Sequence, residues 1–108
     1  LQLVDPADYG RFGTLGVIPD FQLQWACSNF WTNQALHPFI GDERYGRLYP
    51  ANSVRLAGGA LAGGSDWPVD PLAPWNQIAT AVDRVLHEGL PVRDAVLGLL
   101  AREPKSES

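Results

Sequence analysis

Residues 60–66, Ala-Leu-Ala-Gly-Gly-Ser-Asp, are small and apolar up to their last two positions, and they constrain the fold of the chain more than any other stretch. A short apolar run without polar alternation suits a strand buried on both faces, the usual condition of parallel sheets. Gly63 and Gly64 weaken such a strand in isolation but let a ligand or another backbone come close. Pro68, Pro71 and Pro74 then stiffen a loop, and the strongest helical period of the chain follows. Trp75, Ile78, Ala79, Val82, Val85 and Leu86 fall at i, i+3, i+4, i+7, i+10 and i+11. That spacing predicts an amphipathic helix ending near Gly89, with Trp75 on its core face. A second helix is expected after Pro91, with Val92, Ala95, Val96, Leu99 and Leu100 on one side, ahead of a charged tail.

The first half of the chain carries a well-formed helix start, with Asp5 as N-cap, Pro6 at the first helical position and Asp8 in the first turn. A short helix over residues 6–14 is predicted, with Gly16 supplying the turn out of it. Residues 16–22 read as a short strand in which Pro19, having no N–H, must face an edge or a bulge. Residues 25–50 show no clean period and predict a long connection with one or two helical turns. From Ala51 a short helix is expected, ended by Gly58 and Gly59. The order helix, strand, connection, helix, strand, loop, helix indicates an α/β fold with parallel strands.

At 108 residues the chain is too short for a complete (β/α)₈ barrel, which takes roughly 250. Its 45% apolar content is nevertheless enough to fill a core. A net charge of −4 disfavours capture by phosphate backbones or anionic lipid, so neither nucleic acid nor a membrane is an expected partner. Cys27 is the single cysteine and cannot form an internal disulfide, and no apolar run approaches the roughly 20 residues that cross a bilayer. A soluble protein of a reducing, cytoplasmic compartment is expected. The chain opens on Leu1 and contains no methionine, which reads as a piece of a longer protein.

Position makes Asp66 the leading functional candidate, because ligands of α/β folds collect at the carboxyl ends of parallel strands. The competing interpretation is a turn cap in Ser65-Asp66-Trp67-Pro68. Trp67, beside Asp66, and Trp25 offer aromatic surface to a substrate. His37 and His87 read as solvated histidines, since a zinc site needs three or four converging ligands. Arg44 and Arg47, close to Asp42 and Glu43, suggest a surface ion-pair cluster. Cys27 has no neighbouring His or Lys in sequence and reads as a buried structural thiol.

Several ordered motifs resemble one enzyme family. Gly64-Ser65-Asp66-Trp67-Pro68-Val69, with Pro74-Trp75 and residues 79–84 (ATAVDR), is similar to the strand-8 region of the metal-dependent amidohydrolases of the YtcJ-like type. Residues 5–17 (DPADYGRFGTLGV) resemble the segment after that family's strand 6, residues 21–26 (FQLQWA) its strand-7 motif, and Gly41-Asp42-Glu43-Arg44 through Tyr49-Pro50 a further motif. The resemblance implies part of a (β/α)₈ TIM barrel, from about the end of strand 6 to the helix after strand 8, over residues 1–103, with residues 104–108 a charged tail. It implies that Asp66 is both a metal contact and the catalytic proton acceptor, and that Gln22 binds substrate or orders the loop; Trp25 and Trp67 remain the aromatic substrate-binding candidates. The parent enzyme would hydrolyse amide, formamide or cyclic amide C–N bonds of a small molecule, using a divalent metal such as zinc. The family's other metal ligands have no counterparts here, so no metal is expected on this chain and no activity from it alone. The alternative is a non-catalytic small oligomeric or interaction module derived from a barrel, and self-association is expected in either case.

Overall fold

The computed structural model describes residues 1–84. The expected helix after Pro91, the positions of Val85, Leu86 and His87, the 103/104 boundary and the charged tail lie outside the described residues.

The chain enters its first helix as the sequence predicts. Asp5 Oδ1 accepts from the Ala7 amide at 2.9 Å, capping a 3₁₀ turn over Pro6–Asp8 that runs into α1, Tyr9–Leu15. The exit is a left-handed Gly16 (φ 65°), whose N–H reaches Gly13 O while the Val17 N–H reaches Phe12 O at 2.9 Å. That pair of bonds satisfies the last carbonyls of the helix.

The predicted strand over residues 16–22 contracts to β1, Asp20–Phe21. Val17 and Ile18 stay exposed, and Pro19 joins the ladder only through its carbonyl, which accepts from the Ala62 amide at 2.9 Å. A 3₁₀ turn over Leu23–Trp25 follows. The irregular connection then holds more helix than its sequence suggests, namely a π-helical stretch, Trp31–Leu36, and α2, His37–Tyr45. Asn29 and Thr32 start the stretch by exchanging side-chain to backbone hydrogen bonds of 3.0 Å in both directions. Gly41 (φ 74°, ψ 167°) leaves helical geometry and kinks α2.

Next comes α3, Ala51–Leu56, closed by Gly58 and Gly59 as expected. Gly13 shows how closely α1 and α3 approach, since a Cβ there would stand 2.6 Å from Gly58 O. The small apolar run yields β2, Ala62–Gly63, and the two strands pair in parallel with Asp20 opposite Ala62 and Phe21 opposite Gly63. Phe21, at 0% exposure, sits in a core with Leu23, Ala26, Leu48, Val54 and Ala81. Mixed helices and a parallel strand pair make the α/β class plain. No helix among the described residues is long and apolar enough to cross a membrane.

The last described element, α4, Pro74–Val82, corrects the expected phase of the amphipathic helix. Trp75, predicted to face the core, is 74% exposed, and the buried positions are Gln77 and Ala81, followed by Arg84. The helix packs on the Leu23–Trp25 turn, so this contact rather than the apolar count selects the inward face. Arg84, 8% exposed, donates from Nη1 to Tyr49 O and from Nη2 to Leu48 O at 2.9 Å, fastening α4 to the crossover. Tyr49 itself is left-handed (φ 53°), a costly conformation for a bulky residue, held there by its N–H bond to Gln2 O at 2.7 Å and by Arg84.

Two stability measurements follow from this clasp. Arg84→Met removes a charged donor from two buried carbonyls and is expected to cost about 3 kcal/mol in urea unfolding, with Arg84→Lys recovering only part because an ammonium lacks the planar fork. Burial, opposed by the hydrogen bond from Gln2, raises the Tyr49 phenol above its ordinary 10.0. The folded state therefore holds that proton to higher pH than the unfolded chain does. Its contribution is complete below about pH 10 and is lost as pH rises through the raised value. Thermal melts above pH 10 are expected to show a shallower decline for Tyr49→Phe than for the wild type.

Candidate active site

Parallel pairing sends the carboxyl ends of β1 and β2 to the same edge of the sheet. The Gly64 amide extends the ladder by donating to Phe21 O at 3.2 Å, and Ser65 and Asp66 follow directly. Asp66 takes a left-handed conformation (φ 56°), which a short polar side chain tolerates better than most. Its carbonyl accepts from the Val69 amide at 2.8 Å across a cis Trp67–Pro68 bond, so residues 66–69 form a tight proline turn. Asp66 is exposed, and no hydrogen bond or ion pair among the described residues engages its carboxylate. It opens onto a pocket of about 460 Å³ shared with Gly64, Ser65, Trp67, Leu72 and Gln77.

The four residues singled out from sequence divide between places. Asp66 and Trp67 line this pocket together. Gln22 stands at the end of the neighbouring strand, as expected, but does not line the pocket, because its Nε2 turns back along β1 to Asp20 Oδ2 at 3.4 Å. Asp66 and Gln22 therefore do not line this pocket together. Trp25 lines a second cavity of about 730 Å³ with Trp31, Thr32, Tyr49, Val69 and Asp70. Its indole N–H donates to Asp70 Oδ2.

Sequence reasoning overlooked three side chains that organise this edge. Gln24 Nε2 donates to Ser65 O at 3.0 Å and approaches Asp70 Oδ2 at 3.4 Å. With the Trp25 bond, these contacts tie the loop after β2 to the turn after β1. Asp70 is therefore a brace between the two motifs, a role legible only once the strands are paired. Gln77, in the first turns of α4, is buried at 4% exposure.

The other candidates have local explanations. His37 is half-buried rather than solvated, with Nε2 2.7 Å from Asp42 Oδ1 and its ring stacked on Tyr45 at 3.8 Å between centroids. Arg47 pairs with Glu43 at 3.1 Å, so the expected ion-pair cluster is present in part, with Asp42 diverted to His37. Cys27 Sγ accepts from Asn29 Nδ2 at 3.2 Å and donates to Gln24 O at 3.6 Å, the contacts of a structural thiol.

A divalent metal centre needs several converging ligands. Among the described residues no three His, Cys, Asp or Glu side chains come together to hold one, and Asp66 alone contributes a single carboxylate at the strand edge. Residues 1–84 do not by themselves fit a metal centre.

Comparison with known proteins supplies the lineage. Searches of curated proteins and of solved structures returned no match. A sequence model described as the amidohydrolase family matches residues 1–103, nearly the whole chain and every element described above. With this match over residues 1–103, and with motifs in order from Asp5 to Arg84, the chain belongs to the amidohydrolase family.

Proposed function

We propose that residues 1–103 form part of the (β/α)₈ barrel of a hydrolase, similar to the YtcJ-like type, that cleaves C–N bonds of small amides, formamides or cyclic amides. The reading rests on one observation: two adjacent parallel strands end at the same edge, and the carboxylate following the second is exposed on a pocket there. Catalytic groups of such barrels project from that face. In this reading Asp66 takes a proton from the attacking water and returns it to the leaving nitrogen. Trp67 flanks the substrate in the same pocket, while Trp25 and Gln22 act from the adjoining strand end. A divalent ion such as zinc would draw its remaining ligands from chain outside residues 1–84.

Exposed apolar side chains favour a second reading, a non-catalytic module that associates with its own copies. Phe39, Leu72 and Trp75 are largely exposed, and among the described residues no further strand pairs with either edge of the two-stranded sheet. In the barrel reading, further strands and helices cover these surfaces. In the module reading, second copies do.

Turnover separates the two readings. In a protein carrying these residues within a complete barrel, Asp66→Asn is expected to lower kcat for amide hydrolysis by at least about 100-fold with KM changed only a few-fold, the usual scale for loss of an acid–base group. The isolated 108-residue chain is expected to show no amide turnover and to run above its monomer mass in light scattering. Unchanged kcat in the Asn variant would remove Asp66 from the acid–base role, and absence of amide turnover by the complete protein would favour the module.

A further inference from the structure

We propose that Gln77 is a substrate-positioning residue that accepts an N–H from the ligand, so that the pocket beside Asp66 selects secondary amides over tertiary amides and esters. The inference rests on the hydrolase reading and adds the substrate class. Gln77 lines the pocket and is 4% exposed, yet its Oε1 is buried with no donor among the described residues. A buried acceptor without a donor carries its full desolvation cost, which an apolar residue at that position would avoid. Its neighbours on the packed side of α4, Ile78 and Ala81, are apolar, so the helix itself gives no reason for an amide at this point. A ligand that brings the donor does.

The rest of the pocket agrees on the chemistry. Leu72, Ala73, Pro74 and Trp67 give it an apolar wall suited to an alkyl or aryl substituent. Its charged group is the Asp66 carboxylate, an acceptor when ionised. Ser65 is held in place through its carbonyl by Gln24 Nε2 at 3.0 Å, which fixes the strand end against which a ligand rests. The terminal torsion of a glutamine amide is soft, so Oε1 can turn toward an incoming N–H without moving α4. An amide carrying one N–H and one short apolar substituent satisfies both features, whereas an ester or an N-methylated amide leaves Oε1 unpaired.

The test is binding by the full-length protein that carries these residues, measured by NMR titration with N-butylacetamide, N-butyl-N-methylacetamide and butyl acetate. The secondary amide is expected to bind about tenfold more tightly than the other two, the scale of one hydrogen bond to a buried partner. Gln77→Met, of similar length and without an acceptor, is expected to bring the three probes within about twofold of one another while leaving Tm unchanged or higher. Gln77→Leu serves as the second variant should methionine disturb α4. Equal binding of all three probes by the wild type, or a preference that survives both substitutions, overturns the proposal. Binding and turnover fail separately: an N–H preference lost with Gln77 but without hydrolysis supports the pocket and removes the hydrolase reading, whereas hydrolysis without that preference does the reverse.

Discussion

The parallel pairing of β1 with β2 is the constraint on which the remaining structure depends. Each strand contributes only two residues, so the ladder itself supplies few hydrogen bonds. Its strength comes from Phe21, which the pairing carries to 0% exposure among Leu23, Leu48, Val54 and Ala81. Parallel strands also force the intervening chain to cross from one end of the sheet to the other, and that crossover contains the π-helical stretch, α2 and α3. The same geometry places the residues after both strands at one edge.

Around that pairing, two polar clasps hold the crossover and the loops. Arg84 reaches the carbonyls of Leu48 and Tyr49, and Tyr49 in turn binds Gln2 through both its backbone N–H and its hydroxyl. The start of the chain, the end of the crossover and the end of α4 thus meet at one residue in a left-handed conformation. Beyond the carboxyl ends of the strands, Asp70 receives hydrogen bonds from Trp25 and Gln24, and Gln24 extends to Ser65. These contacts couple the two motifs that most resemble the amidohydrolases, although they lie far apart in sequence. Asp66 stands at the margin of this network, exposed on the adjoining pocket.

What the sequence determined by itself was local chemistry with a fixed conformational consequence. Asp5 and Pro6 dictate a helix start, Gly16 a left-handed exit, Gly58 and Gly59 a helix stop, and the small apolar run of residues 60–66 a strand, which contracts to Ala62–Gly63 ahead of Asp66. Each depends on a side chain or a missing Cβ acting within a few residues, so each is legible without the fold. The order of these elements gave the α/β class, and their motifs gave the family. Tertiary structure decided whatever depended on which surfaces meet. The period of α4 was correct but its phase was not, because packing on the Leu23–Trp25 turn buries Gln77 and leaves Trp75 in solvent. Gln22 was assigned to the strand end correctly, yet a hydrogen bond to Asp20 turns it away from Asp66. The brace of Gln24, Trp25 and Asp70 joins positions more than forty apart in sequence. Sequence periodicity reports how a helix or strand is sided, whereas the neighbour that selects the buried side, and the partner that captures a polar group, exist only after the chain has closed on itself.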